Sequence, residues 1–463
     1  MKADDTTLAS LLTFTRDGEW GKGEPTEGYS LAQVIRGTDF ERIRLGDLST
    51  LPLRYIRSDI LGRKEIFSGD TLIETAGGTK DQPTGRSVFI TQTIIDRAEY
   101  PLVCASFARF LRPNKNEVIP EFLFWKLQDE YNSRRMMPYH IQHTGVARFQ
   151  YTQFAATYEL PLPSKDIQIK VANLLGAIDD KIELNRRMNE TLEVMARAVF
   201  QDWFVDFGPT RRKAAGETDP VAILGGLLPD PTEAAKLAAL FPDSFGGKGL
   251  PEGWGGTSLG EVGLDLESGR RPKGGIDKGL ASGVPSVGAE SIYGVGRFDY
   301  SKVKFVNEEF ARSISSGWVQ PYDVAIYKDG ANVGDPSRVA LFGSKFPFEK
   351  FMVNEHVFLL RSKELGQAFL YLLMQSYQVS DRLEKLGKAK AAQPGLNQGE
   401  VKSCRFTFPG PALCEAFGNL VMPWMDLGLH NGTENQTLAA TRNLLLPKLM
   451  SGEICLKDAE GAV

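Results

Sequence analysis

The sequence is poor in the groups that usually do chemistry. Its four cysteines, Cys104, Cys404, Cys414 and Cys455, stand far apart with no CxxC pair. They read as reduced, buried thiols of a cytosolic protein rather than as a disulfide framework. Four histidines (His140, His143, His356, His430) form no HExxH and no metal-ligand spacing. There is no GxxxxGK[ST] phosphate loop, no GxGxxG at a strand end and no NPPY or DPPY tetrad. No stretch approaches the ~20 apolar residues of a membrane span. The opening MKADDTTLAS lacks a basic region followed by an apolar run, so no signal peptide is expected. Positive charge is not in excess, with 54 Lys and Arg against 58 Asp and Glu. The net charge of −4 argues against a chain that is basic throughout, although basic loops on an acidic body stay possible.

What remains is ordinary globular composition, 42% hydrophobic and 24% charged over 463 residues, enough for roughly two to four domains. Proline is absent from 166–204, and Gly176 is the one glycine there. Val171, Leu175, Ile178, Ile182, Met188, Leu192, Met195 and Val199 recur at helical spacing. This predicts a helix of roughly ten turns and about 55 Å. Ser164, just after Leu-Pro-Leu-Pro, suits its N-cap. Seven-residue steps align Ile178, Asn185, Leu192 and Val199 in one column, and Leu175, Ile182, Asn189 and Ala196 in the other. That pattern fits a coiled-coil seam whose two Asn fix register and partner. It also fits an amphipathic core helix with Asn at the border of the stripe.

A second copy bears on that choice. NRRMNETL at Asn185 returns as NGTENQTL at Asn431, an offset of 431 − 185 = 246. The later stretch carries Leu420, Trp424, Leu427, Asn431, Asn435, Leu438 and Leu445, with Pro423 and Gly428 expected to bend or interrupt it. Other blocks recur in the same order: 34–56 with 284–306, 67–90 with 319–342, 102–113 with 352–363, 122–136 with 368–383, and 145–164 with 391–410. Asp70 matches Asp323 in this scheme, and Arg86-Ser87 answers Ser337-Arg338. The plan is globular unit, long helix, globular unit, long helix. Short strands alternate with a helix or two in each globular unit, so the class is α+β. Between the copies, 206–254 is rich in Gly, Pro and Ala and holds a short helical piece around Glu233–Leu240.

AVFQDWFVDFGPTRRK (198–213), ALFPDSF (239–245), LPEGW (250–254) and LLLPKLMSGEI (444–454) resemble hallmarks of type I restriction–modification specificity subunits. Nearly the whole chain shares that family's two-copy plan. The resemblance implies two repeated globular α+β target recognition domains, separated by two long helices pairing as an antiparallel coiled coil. Expected boundaries are 1–163 and 250–409 for the recognition domains. The helices would span 164–207 and 410–455, with a connector at 208–249 and a tail at 456–463. Each domain would read half of a bipartite target in double-stranded DNA. The helices would set the gap and dock the methyltransferase (modification) subunits, which restriction subunits join for phage defence in the cytoplasm. Catalysis, with S-adenosylmethionine, ATP and Mg, would lie in those partners, and this chain would bind no cofactor and touch no membrane. The short opening phrase GEWGKGEP only faintly answers SGRRPKGG (268–275).

Arg, Lys, Asn and Gln read base edges, and phosphates are held by Lys, Arg and hydroxyls. Gly-rich loops carrying such residues are therefore the candidate contacts. In the first half they offer Lys80, Gln82 and Arg86, then Gln142, His143, Thr144, Arg148 and Gln150. In the second half they offer Arg270, Arg271 and Lys273, then Lys328, Asn332 and Arg338, then Lys388, Lys390, Gln393 and Gln398. The plain alternative for each is a solvated turn. The candidate helix and subunit interface is Ile178, Ile182, Asn185, Asn189, Leu192, Val199, Trp203, Phe204, Asn431, Asn435, Leu438 and Leu445. Trp203 and Phe204 read equally as core and as docking aromatics. Two other classes stay open: a protein adaptor with two modules on a coiled-coil spacer, and an enzyme without a familiar motif.

Overall fold

The computed structural model describes residues 6–78, 83–142, 147–247, 249–276, 280–390 and 394–454. The chain divides into two compact units, Met1–Glu183 with Leu438–Val463, and Leu184–Thr437. Both mix strands with helices.

In the first unit the mid-sheet strand Thr71–Glu74 is buried along its whole length, its apolar Leu72 and Ile73 flanked by Thr71 and by Glu74, whose carboxylate Arg86 pairs. It pairs antiparallel with Ala108–Pro113 on one side and Ser87–Phe89 on the other, and Leu12–Asp17 closes the far edge of Ala108–Pro113. A second sheet is built on Tyr29–Ile35, antiparallel to Leu53–Arg57 and parallel to Leu102–Cys104. The helix Pro120–Asn132, opened by a proline whose missing N–H has no partner to lose there, buries Phe122, Leu123, Trp125 and Leu127. Their core also contains Val171, Ala172 and Leu175 from one long helix and Leu446 and Leu449 from the other.

In the second unit Val324–Tyr327 is likewise buried throughout. It lies antiparallel to Val357–Arg361, which pairs in turn with Asp265–Ser268. Val284–Val287 runs parallel to Met352–Val353 and antiparallel to Lys304–Val306. From the connector, Ile223, Leu224, Leu237 and Phe241 join this unit's core, and the short helical piece expected there is the helix Pro231–Ala238.

A buried Asp recurs in the same local construction in both units. In the first, Asp70 accepts from the Phe67 N–H at 2.9 Å and takes Arg112 through Nε and Nη2 at 2.9 and 2.8 Å. Arg112 also reaches the Glu65 carbonyl at 3.0 Å. In the second, Asp323 accepts from the Gln320 N–H at 2.8 Å and takes Arg361 through Nε and Nη2. Arg361 also reaches the Trp318 carbonyl at 3.1 Å.

The long helices are Lys165–Phe200, continued by a wider π turn at Gln201–Val205, and Pro411–Ser451. The expected break at Pro423 and Gly428 does not occur. Pro423 is exposed, so the carbonyl it leaves without an N–H faces water, while Val421, Met425 and Leu429 are buried and hold the helix to the core. The apolar stripe expected on the first helix also shifts. Met188 and Met195 are 38% and 40% exposed, and the buried line runs through Asn185, Asn189, Glu193, Ala196 and Phe200.

Candidate nucleic-acid interface

In the first unit, Lys80, Gln82, His143 and Thr144 lie outside the described residues. The strands that bracket them are described. Ala147 pairs with both Gly78 and Gln142, so the ends of Ala76–Gly78, His140–Gln142 and Ala147–Phe149 lie side by side. Gln142 and Arg148 are exposed on that small sheet. Arg86 is otherwise occupied. Its guanidinium grips the buried Glu74 carboxylate through two bonds of 3.0 and 2.7 Å, and that bond raises its pKa. Its side chain keeps 26% of its surface exposed beside that pair. Gln150 lines an open cavity with Asp17, Thr75, Arg109 and Gln153, where Arg109 stacks 4.6 Å from the Tyr151 ring. Arg109 and Gln153 carry no flanking glycine signal, so loop composition did not single them out.

In the second unit, Arg270 and Lys273 are exposed. Arg271 lies 3.5 Å from Glu355 at the edge of a cleft of about 400 Å³ lined by Lys304, Phe305, Asn354 and His356. Lys328 turns back onto the Glu355 carbonyl at 3.2 Å. His356 stands between Asp329 and Glu355, 3.3 and 3.4 Å away. Asn332 lies near the Tyr327 hydroxyl, and the Arg338 guanidinium lies 4.1 Å over the Tyr293 ring. Lys388 pairs with Glu384 one turn back on its helix. Lys390 donates to the Gly395 carbonyl at 2.8 Å and to Glu400 at 2.9 Å. Gln398 is exposed at the start of the helix Gln398–Lys402, and Gln393 lies outside the described residues. Exposed pairs of this kind are worth at most about 1 kcal/mol, so both lysines stay exchangeable toward a phosphate.

The helix residues divide by chemistry. Within the second unit, Asn431 Nδ2 donates to Asn189 Oδ1 at 2.9 Å, and Asn189 Nδ2 to the Gly428 carbonyl at 2.9 Å. Asn185 donates to Glu434 at 2.6 Å and to Asn435 at 3.0 Å. Numbers rise along one helix as they fall along the other. Val199 is buried, Leu192 half-buried, and Trp203 and Phe204 pack on Phe417 at 5.8 and 5.1 Å as core aromatics. Within the first unit, Ile178 is buried and Ile182, Leu438 and Leu445 are half-buried. There Asp179 accepts from Arg44 Nε at 2.9 Å and also from Arg442.

No group of three or more His, Cys, Asp or Glu among the described residues could hold a metal ion. No helix among them is long and apolar enough to cross a membrane.

Residues 62–194 match the type I restriction modification DNA specificity domain. The chain is 25% identical over 386 residues to the HindI type I restriction enzyme specificity subunit of Haemophilus influenzae, spanning 74% of this chain and 79% of that protein. It is 24% identical over 377 residues to the MjaIX type I restriction enzyme specificity subunit of Methanocaldococcus jannaschii, spanning 78% and 75%. In fold it is similar to the crystal structure of the type I restriction–modification S subunit from M. genitalium. That likeness has a TM-score of 0.52 and 17% identity, over 96% of this chain and 95% of that one. Through this domain, and through these relatives along most of its length, the chain is similar to the specificity subunits of type I restriction–modification systems.

Proposed function

We propose that this chain is the non-catalytic DNA-reading subunit of a type I restriction–modification complex. Its two globular units are copies of one target recognition domain, each reading one half of a bipartite target. The observation that carries this is the doubled Asp–Arg construction, Asp70 with Arg112 and Asp323 with Arg361, on strands paired in the same senses. The long helices pair as an antiparallel coiled coil, set the gap between the half-sites and dock the modification subunits. S-adenosylmethionine, ATP and Mg serve the partner subunits. The contacts proposed for DNA are the exposed Gln142, Arg148, Arg270, Arg271, Lys273 and Gln398, the exchangeable Lys388 and Lys390, the partly engaged Gln150, Lys328, Asn332 and Arg338, and the stretches holding Lys80, Gln82, His143, Thr144 and Gln393. Arg86 stays in that set with its guanidinium shared with Glu74.

The test is the methylome of a methylation-free host carrying this chain and its modification subunit. A split adenine-methylated motif that vanishes when the chain is omitted supports the reading. Copurification of the two proteins without any new motif favours the adaptor instead. Adding one heptad to each long helix should lengthen the gap and leave both half-sequences alone. An unchanged gap would sink the ruler.

A further inference from the structure

Glu193 lies on the first long helix, just outside both columns of the expected seam, and its side chain is 6% exposed. Oε1 accepts from the Val295 N–H at 2.9 Å and from the Tyr371 hydroxyl at 2.5 Å, and Oε2 accepts from Arg297 Nη2 at 2.9 Å. These donors come from two separate pieces of the second unit. One is the turn joining Ile292–Val295 to Arg297–Phe298, and the other is the helix Gln367–Gln375. Burial, reinforced by the Glu193 charge, pushes the Tyr371 hydroxyl well above its usual range, so it stays a donor.

The same turn is held from a second side. A Cβ on Gly296 would stand 1.9 Å from the Gly428 carbonyl oxygen, and one on Gly432 would stand 2.6 Å from the Gly296 oxygen. Only glycine lets the turn and the second long helix approach this closely. Asn189, one turn before Glu193, donates to that same Gly428 carbonyl. The turn is thus gripped by a charge on one long helix and by two glycines on the other.

A helical spacer measures distance only if the reading unit is fixed to it. Slippage by one residue would move the attachment by about 1.5 Å and turn it by about 100°. A buried carboxylate tolerates no such slip, because its donors would be left behind and the charge unpaired.

We infer that Glu193 is a positioning residue for target spacing: its carboxylate locks the second reading unit at one setting on the first long helix, and so governs the gap rather than the bases read. This inference rests on the bipartite-reader function proposed above.

The experiment compares methylomes of the wild-type chain, Glu193→Gln and Tyr371→Phe, each expressed with the modification subunit. The expected result for Glu193→Gln is an unchanged pair of half-sequences, with methylation spread to gaps one base pair longer and shorter. Tyr371→Phe should give a weaker spread of the same kind. A merely structural role would lower methylation at all sites together and keep a single gap, and that result overturns the inference. If Glu193→Gln yields no folded complex, Tyr371→Phe decides by the same criterion. A wild type without any split motif removes the underlying reading, and the inference falls with it.

Discussion

Asn431 and Asn189 share a hydrogen bond of 2.9 Å, and beside them Asn185 meets Asn435 at 3.0 Å. In the sequence repeat Asn185 corresponds to Asn431 and Asn189 to Asn435. Each asparagine therefore meets the counterpart of the other, the relation a local two-fold axis imposes on a self-complementary contact. Asn431→Ala would leave Asn189 Oδ1 without its donor in a buried place. The expected loss is about 1–3 kcal/mol, read from urea unfolding of the purified chain. A variant as stable as the wild type would show that the bond contributes nothing net.

Arg112 and Arg361 each neutralise an Asp that is almost fully buried. Replacing either by Met strands a carboxylate in the core, at a cost of about 3–5 kcal/mol. Hydrogen exchange should localise the loosening to the first unit for Arg112→Met and to the second for Arg361→Met. Adding Asp70→Asn to Arg112→Met should recover part of the loss. Equal loosening of both units in either variant would contradict the separate-core arrangement.

The long helices and the shared setting of Asp70 and Asp323 were legible in the sequence because they depend on pattern and order. The arginine partners were harder to see. An ungapped match of 102–113 to 352–363 sets Arg112 opposite Ser362, whereas the structure gives its role to Arg361. Glu193 was invisible for a different reason. A carboxylate on a helix reads as solvated, and its three donors lie some 100 to 180 residues away in the chain. Pro423 and Gly428 misled because local propensity was weighed without the tertiary contacts that override it. Among the loop candidates, residue type could not distinguish Arg86, which is bound to Glu74, from Arg148, which is exposed.

Charge reversal at both Lys388 and Lys390 is expected to weaken DNA binding by the complex and to flatten its salt dependence, by up to about two in the log–log slope. Their present partners, Glu384 and Glu400, would add to the repulsion. Titrating DNA affinity against salt for the double variant checks this. An unaltered slope removes both lysines from the interface.

Burial pushes Cys104 and Cys414 up to about 12 and Cys404 up to about 11. Because the thiolate is the reactive form, all three should resist alkylation at pH 8 in the native chain and react after unfolding. Mapping the labelled peptides by mass spectrometry tests each thiol separately. Prompt native labelling of Cys104 would mean that the sheet core around it opens readily.

The first unit is finished by the last part of the chain. Leu446 and Leu449, near the end of the second long helix, complete the core that begins with Leu8 and Leu11. A ribosome that has delivered every strand of that unit still leaves its hydrophobic seam uncovered until some three hundred further residues have emerged. A premature stop shortly before Leu446 would therefore damage the half made first, and protein quality control would meet the defect far from where the message was cut.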